Sequence, residues 1–258
     1  MRFPSPLVPA RLVRRYKRFL ADVVLEDGSA VTAHCPNPGA MMGLNAEGSR
    51  VWLMPAGPGK KLAWSWKLVE LPGGHLAGID TAVPNRVVAE ALLAGAVPAL
   101  AGYTDIRPEV ACGTRSRVDF LCRGPGLPDA FVEVKNVHLR REGDWAEFPD
   151  CVTARGARHL RDLADRVAAG DRAVMLYLVQ RTDCARFRLA ADLDPAYAAG
   201  FDAARAAGVG MVAHGTVITT GGVDLGPALP VDPMPQAAGR AAGKTAGAVW
   251  QNPADGSI

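Results

Sequence analysis

The chain has 258 residues, of which 49% are apolar and 21% charged, and its formal net charge at pH 7 is +3. This composition is ordinary for a soluble globular protein with a substantial core, and it excludes a wholly disordered chain. No segment approaches about 20 uncharged apolar residues, so we expect no membrane span.

The first 80 residues carry the pattern of an all-β domain. Strands are expected over residues 13–25, 29–35, 51–54, 61–71 and 75–79. Glu26-Asp27-Gly28 separates the first two, and Asp-Gly between apolar runs favours a hairpin. About five short strands joined by glycine-containing turns are typical of a small closed barrel such as the oligonucleotide-binding (OB) fold.

Two features of this domain indicate a nucleic-acid partner. Residues 1–21 contain six basic side chains and no acidic one, which makes a candidate phosphate-binding surface. The alternative is a strand edge kept soluble by charge. Trp64 and Trp66 alternate along one strand and therefore share a face, where they would form a stacking platform for bases, although we expect at least one of them in the barrel core.

From about residue 81 helices and strands alternate. Apolar stripes with capping residues predict helices over 84–94, 153–169 and 194–207. Strands are expected over 106–112, 115–122, 130–137, 173–179, 209–214 and 217–219. This order predicts an α+β (mixed α/β) domain with a mixed sheet flanked by helices. The expected bounds are 1–80 for the barrel, 81–232 for the second domain and 233–258 for a disordered tail without periodicity.

One predicted hairpin carries Asp119 on its first strand and both Glu133 and Lys135 on its second. If the turn is symmetric about Gly126, Asp119 lies opposite Glu133, with Cβ atoms about 5 Å apart. Two carboxylates at that separation can share a hard divalent cation. The alternative is an ordinary solvent-facing hairpin, but the apolar residues around Glu133 indicate a covered strand, in which unpaired charges are costly.

The five cysteines are scattered, and no Cys-x-x-Cys pair occurs. This pattern argues against a structural zinc site or a disulfide framework. We therefore expect reduced thiols and a cytoplasmic location.

Several separated motifs resemble, in order, the sugar fermentation stimulation protein family. They are residues 16–22, 34–37, 39–41, 117–120, 132–135, 148–150 and 153–160. Asp on one strand followed by Glu-x-Lys on the next also resembles the PD-(D/E)xK nuclease core. The resemblance implies an OB-like barrel joined to a PD-(D/E)xK nuclease-like domain, DNA binding with little sequence specificity, and a role in regulating sugar (maltose) metabolism.

The three residues of the hairpin lead to the hypothesis of phosphodiester hydrolysis assisted by Mg²⁺ or Mn²⁺. Asp119 and Glu133 would bind the metal ion, with the carbonyl of Val134 as a further ligand. Lys135 would orient the attacking water or offset the developing negative charge. Glu90, on the helix before the hairpin, is the candidate third carboxylate, and the alternative for Glu90 is an exposed helix glutamate.

DNA contacts are expected from the barrel and from the surroundings of the hairpin. The candidates are Arg14, Arg15, Lys17, Arg18, Trp64, Trp66, Arg115, Thr153, Arg155 and His159. The last three lie at the start of a helix, whose N-terminal dipole favours phosphate, although His159 is alternatively a core histidine. Two other functions stay open: a DNA-binding regulator without turnover on a nuclease scaffold, and an oligosaccharide-binding module, since OB barrels also bind sugars.

Overall fold

The computed structural model describes residues 1–112 and 116–232. The strands are β1 (Val8–Tyr16), β2 (Leu20–Leu25), β3 (Ala30–His34), β4 (Arg50–Pro55), β5 (Trp64–Leu71), β6 (His75–Gly78), β7 (Asp105–Cys112), β8 (Ser116–Arg123), β9 (Ala130–Val137), β10 (Trp145–Phe148), β11 (Arg172–Val179), β12 (Arg186–Leu189), β13 (Gly210–Thr219) and β14 (Gly222–Leu229). The α-helices are α1 (Val83–Leu93), α2 (Ala154–Ala168) and α3 (Pro195–Ala206). Arg115 and the predicted tail from residue 233 lie outside the described residues.

The N-terminal strands form a closed barrel, as the sequence predicts. Their order is β3-β2-β1-β4-β5-β6, and pairing of β3 with β5 closes the barrel. The prediction of one long strand over residues 13–25 was wrong, because the chain reverses at Lys17 and Arg18 and separates β1 from β2. Both residues have left-handed φ values, 48° and 61°. The turn lacks the glycine or asparagine that usually marks this conformation, so its sequence gave no signal.

The second half of the chain forms a mixed sheet flanked by helices, which confirms the predicted architecture. The strand order is β14-β13-β11-β9-β8-β7. The three central strands β9, β11 and β13 are parallel, while β7, β8 and β14 run antiparallel to their neighbours. Apolar residues of α1 pack on one face of the sheet, and those of α2 and α3 pack on the other. Burial of β9 and β11 on both faces explains their nearly continuous apolar sequences.

Three strands were missed at the sequence level. Strands β10 and β12 pair in parallel as a separate small sheet, and their four-residue length and charged members hid them. Glu147 of β10 is buried there by ion pairs with Arg141 and Arg188. Strand β14 is the sheet edge, and the two pieces expected over 209–214 and 217–219 form the single strand β13.

The barrel attaches to the sheet beside the C-terminal end of β11. The N–H of Gly78 donates to the carbonyl of Gln180 (3.0 Å), and the N–H of Thr182 donates to the carbonyl of Leu76 (3.0 Å). Because β9 runs parallel to β11, this attachment brings the barrel close to the C-terminal end of β9. The strand that carries Glu133 and Lys135 therefore ends next to the barrel.

Each of the five cysteines is a free thiol in this structure. Within residues 1–112 and 116–232, no helix is long and apolar enough to cross a membrane.

Candidate active site

The Asp119–Glu133 pair lies where the β8–β9 ladder ends. The two strands pair at Phe120–Val132 and at the next two positions toward the turn. One residue beyond that ladder, the register places Asp119 opposite Glu133, as the symmetric turn predicts. There the Oδ2 atom of Asp119 accepts a hydrogen bond from the N–H of Val134 (2.7 Å). A side-chain oxygen thus replaces the backbone carbonyl that would accept this hydrogen bond in a continuous ladder. The ladder therefore opens at the acidic pair.

Asp119 is held from a second direction by α1. Its Oδ1 atom accepts a hydrogen bond from Nδ2 of Asn85 (2.6 Å). Burial raises the pKa of Asp119, and the neighbouring charge of Glu133 raises it further, against the two hydrogen bonds that favour the ionised form. Sequence reasoning missed Asn85. Its signal was position, since Asn85 precedes Val88 by three residues and Leu92 by seven and so continues the buried stripe of α1.

The two carboxylate oxygens of Glu133 have different environments. Oε1 accepts a hydrogen bond from Nζ of Lys135 (2.7 Å) and contacts Nδ1 of His159. Oε2 is buried and has no hydrogen-bond partner among the described residues. Burial alone would raise the pKa of Glu133, but the hydrogen bond from His159 and the charge of Lys135 outweigh it and hold the pKa below its ordinary value. An ionised, buried and bare oxygen is costly unless a cation takes it.

The donor set fits a hard divalent cation that the protein binds only partly by itself. In the described part of the chain, no three His, Cys, Asp or Glu side chains converge as a metal-binding group. The available side chains are Asp119 and Glu133, and Mg²⁺ is commonly held by one or two carboxylates together with waters and substrate phosphates. The N–H and C=O of a strand residue face the same side. The carbonyl of Val134 therefore faces the same opening as its N–H.

Helix α2 brings His159 against the pair. The helix begins after Thr153, whose Oγ1 accepts a hydrogen bond from the N–H of Gly156 (3.1 Å). One turn further, Nε2 of His159 accepts a hydrogen bond from Nε of Arg155 (3.3 Å), so Nδ1, which faces Glu133, is the ring nitrogen that can donate. Nδ1 also lies 3.4 Å from Nζ of Lys135. His159 is thus both a buried histidine and a member of the site.

Glu90 lies outside the site, so its prediction as the third carboxylate was wrong. Its Oε2 atom lies 2.6 Å from the N-terminal ammonium of Met1, and its side chain is 58% exposed. Five residues separate Glu90 from Asn85, and at about 100° per residue they point about 140° apart around the helix. The helix packs against the hairpin, but it presents Asn85 and not Glu90.

The two tryptophans of β5 have different roles. Trp66 is fully buried, and its indole N–H donates to the carbonyl of Leu68 (2.8 Å). Trp66 belongs to the barrel core, so its prediction as a base-stacking surface was wrong. Trp64 is half-buried and lines a cleft of about 410 Å³ together with His34 and Lys61. An aromatic ring beside a lysine in an open cleft is compatible with stacking on a base.

The basic residues of the β1–β2 hairpin have different surroundings. They are Arg14, Arg15, Lys17 and Arg18. Arg15 donates to two carbonyls of the loop 37–39 (2.8 and 2.9 Å), so it braces the barrel, and its contact with phosphate stays a prediction. Arg14 is exposed and pairs with a carboxylate of β2 (2.9 Å). Lys17 and Arg18 are exposed at the turn, in left-handed conformations that cost free energy for residues other than glycine.

Comparisons with known proteins connect this chain to others. The model of the SfsA N-terminal OB domain matches residues 13–79, and that of the sugar fermentation stimulation protein RE domain matches residues 82–222. Sugar fermentation stimulation protein homologs of Jannaschia sp. and Dinoroseobacter shibae are 67% and 69% identical over 239 residues, which is 92% of this chain and 99% and 98% of theirs. The structure of Pyrococcus furiosus SfsA in complex with Ca²⁺ matches with a TM-score of 0.79 and 28% identity, covering 90% of this chain and 98% of that one.

Proposed function

This chain belongs to the sugar fermentation stimulation protein family, and we propose that it is a divalent-metal-dependent phosphodiesterase that binds DNA with little sequence specificity. The observation that carries the proposal is the bare, buried Oε2 atom of Glu133. The strand register places Glu133 opposite Asp119, and its other oxygen, Oε1, accepts a hydrogen bond from the ammonium of Lys135. A link to sugar (maltose) metabolism enters the proposal through the family alone.

The metal ion we propose is Mg²⁺ or Mn²⁺, held by Asp119, by Oε2 of Glu133 and by the carbonyl of Val134. The P. furiosus relative was solved in complex with Ca²⁺, which supports a hard cation, because Ca²⁺ and Mg²⁺ both prefer oxygen ligands. When bound, such an ion polarises a phosphoryl oxygen and lowers the pKa of an attached water.

The protein residues fix the geometry around the reacting phosphate. Asn85 and the N–H of Val134 prevent Asp119 from rotating away from Glu133. Lys135 is held by Oε1 of Glu133 (2.7 Å), and its protonated Nζ can only donate hydrogen bonds. Lys135 therefore donates to a phosphoryl oxygen or to the attacking water and stabilises negative charge as it develops. His159 directs its Nδ1 N–H at Oε1 of Glu133. This contact fixes the orientation of the carboxylate that holds Lys135.

Binding of the DNA strand would come mainly from groups that contact phosphates. Lys17 and Arg18 at the barrel turn and Arg155 at the start of α2 are the proposed phosphate contacts, and Trp64 is the proposed stacking residue. Lys17 and Arg18 adopt left-handed conformations that glycine would adopt without strain. Basic side chains at such a costly position support a functional role for their charge. Such binding depends on backbone charge and not on base identity.

The test is metal-dependent cleavage by purified wild type and three variants. Wild type should cleave linear DNA in Mn²⁺ and not in EDTA. Asp119→Ala and Lys135→Ala should each lose about 100-fold or more of the rate, since each removes a group that acts in the transition state. Glu90→Gln, which removes a carboxylate charge outside the site, is the matched control and should cleave like wild type.

Two outcomes would contradict the proposal. One is the absence of metal-dependent cleavage, and the other is equal cleavage by all four proteins, which would indicate a contaminating nuclease. In either case, retained DNA affinity would leave a DNA-binding protein without turnover.

A further inference from the structure

A cleft of about 440 Å³ opens beside Lys135, where the barrel meets the ends of β9 and β10. Its wall includes Asn37 and Gly39 from the barrel and Asn136 from β9. The other side is formed by Phe148 at the end of β10, by Asp150 in the segment that follows, and by Arg155 in the first turn of α2. We call this space the Lys135 cleft. It combines a residue of the candidate site with a loop of the barrel, so a ligand there would contact both.

The barrel wall of the Lys135 cleft is held firmly. Asn37 is 3% exposed, its Oδ1 accepts from the N–H of Gly39 (2.8 Å), and its Nδ2 donates to the carbonyl of Ile79 (3.1 Å). A Cβ atom at position 39 would lie 2.9 Å from Oδ2 of Asp150. The barrel loop and the side chain of Asp150 are therefore closely packed at Gly39. The two halves of the cleft are in contact without a ligand, and the cleft is preformed.

Four charged side chains line the Lys135 cleft, and one of them, Glu147, is neutralised by ion pairs with Arg141 and Arg188. The charges of the other three are separated. Lys135 and Arg155 are bound to the active-site residues Glu133 and His159, so the positive charge lies on the side of the acidic pair. Asp150 lies against the barrel loop, so a negative charge lies on that side. A phosphate fits near the two cations, whereas a second phosphate further along would meet a carboxylate and be repelled.

The size and chemistry of the cleft match one nucleoside better than a continuing strand. A volume of about 440 Å³ lies toward the lower end of the range for small-molecule sites, roughly 300–1,000 Å³. Phe148 lines the cleft with its ring packed against Tyr177 and Tyr197, which makes that part of the wall apolar. The carboxylate of Asp150 accepts hydrogen bonds from the N–H or O–H donors of a nucleoside.

We propose that the Lys135 cleft receives the terminal nucleoside of the cleaved strand, so that the protein works from a chain end and releases mononucleotides. This inference rests on the proposed phosphodiesterase activity and specifies its substrate position. Each cycle adds one water across a phosphodiester: the water oxygen bonds to phosphorus, the P–O bond to the leaving oxygen breaks, and that oxygen takes up one proton as a hydroxyl. The products are one mononucleotide and a strand shorter by one residue.

The first test is nucleotide binding, which needs no turnover. The full-length protein is titrated calorimetrically in Mg²⁺ with deoxyadenosine 5′-monophosphate and, separately, with inorganic phosphate. We expect the nucleotide to bind at least about tenfold more tightly than phosphate, and Asp150→Ala to weaken nucleotide binding about tenfold without changing phosphate binding, the typical effect of a lost hydrogen bond to a charged group. Glu47→Gln, an exposed carboxylate elsewhere on the barrel, should change neither affinity. Equal affinities for the two ligands, or an unchanged nucleotide affinity in Asp150→Ala, would overturn the inference.

The second test is product analysis in Mn²⁺. Wild type should release mononucleotides from end-labelled linear single strands from the first time point and leave covalently closed single-stranded circles intact. Asp150→Asn keeps the shape of the side chain but removes the repelling charge, so it should begin to open the circles, while Glu47→Gln should not.

The outcomes separate this inference from the proposed function. Oligonucleotide products, or opening of circles by wild type, would overturn the chain-end inference while the phosphodiesterase proposal stands. Nucleotide binding that depends on Asp150, without any cleavage, would support the cleft as a nucleotide site and refute hydrolysis.

Discussion

Replacing Asp119 by asparagine should stabilise the metal-free protein and destabilise the metal-loaded one relative to wild type. In the absence of metal, burial and the charge of Glu133 both act against an ionised Asp119. An asparagine keeps an oxygen that accepts from the N–H of Val134, and the amide of Asn85 can rotate to present its own oxygen to the new amide. The substitution therefore removes the unfavourable charge and keeps the hydrogen bonds.

The expected magnitudes are within reach of thermal unfolding. Removing the charge should raise the free energy of unfolding of the metal-free protein on the order of 1 kcal/mol, which for a chain of this size raises Tm by about 2–4 °C. A cation at 100 times its Kd should stabilise wild type by about 2.7 kcal/mol, or about 5–10 °C. Asp119→Asn should lose most of that gain, so the order of the two Tm values reverses between EDTA and Mn²⁺.

The pH dependence of the difference has a definite sign. Because the pKa of Asp119 is raised in the folded state, the protonated carboxyl stabilises the fold below the ordinary aspartate pKa of 3.8, and this contribution is lost as pH rises through the folded-state pKa. The stability advantage of Asp119→Asn in EDTA should therefore grow as pH rises from 3.8 through the folded-state pKa of Asp119 and stay constant at higher pH. Glu133 has a lowered pKa and the opposite sign, but it is present in both proteins, so their difference mainly reports Asp119.

The assay is differential scanning calorimetry of both proteins in EDTA and in Mn²⁺ at several pH values, with Glu47→Gln, which removes an exposed carboxylate of the barrel, as the charge control. Two results would refute the reasoning. Asp119→Asn could be less stable than wild type in EDTA, which would mean that the ionised carboxylate is favourably paired without metal. Alternatively, Mn²⁺ could raise the Tm of both proteins equally, which would place the cation elsewhere.

Three further predictions concern function. Lys135→Gln should lower kcat by about 10²–10³ with little change in DNA affinity, because its charge acts on the transition state, and a comparable loss in both quantities would contradict that role. Replacing Lys17 and Arg18 together by alanine should weaken binding to all DNA sequences alike and reduce the slope of log K against log salt by about 1–2, measured by fluorescence anisotropy; an unchanged slope would exclude the turn from the interface. Trp64→Ala should weaken single-strand binding by about 1–3 kcal/mol at nearly unchanged Tm. Trp66→Ala should instead lower the free energy of unfolding by about 3–5 kcal/mol. A large loss of stability in Trp64→Ala, or a loss of DNA affinity in a stable Trp66→Ala, would refute the two roles.

The elements that position the acidic pair were readable from the sequence because their signals are local. The glycine-centred turn fixed the register of β8 and β9, so that Asp119 lies opposite Glu133. Continuous apolar sequence identified β9 and β11 as covered central strands. Thr153 and Asp194 identified the starts of two helices, since both side chains accept hydrogen bonds from the first turn.

The features that the sequence did not predict depend on tertiary contacts or on uncommon backbone conformations. Nothing local distinguishes Glu90 from Asn85, because the choice depends on which side of α1 faces the hairpin. The reversal at Lys17 and Arg18 uses residues that seldom adopt a left-handed conformation. The contact of His159 with Glu133 required the packing of α2 on the sheet, which the spacing of the two residues along the chain does not encode.

The central claim, that Asp119 and Glu133 share one divalent cation, is tested most directly by the anomalous scattering of manganese in a crystal soaked with Mn²⁺. The account predicts one strong peak within about 2.0–2.6 Å of a carboxylate oxygen of Asp119 and of Oε2 of Glu133. A peak at other residues only, with Oε2 of Glu133 still without a ligand, would contradict it.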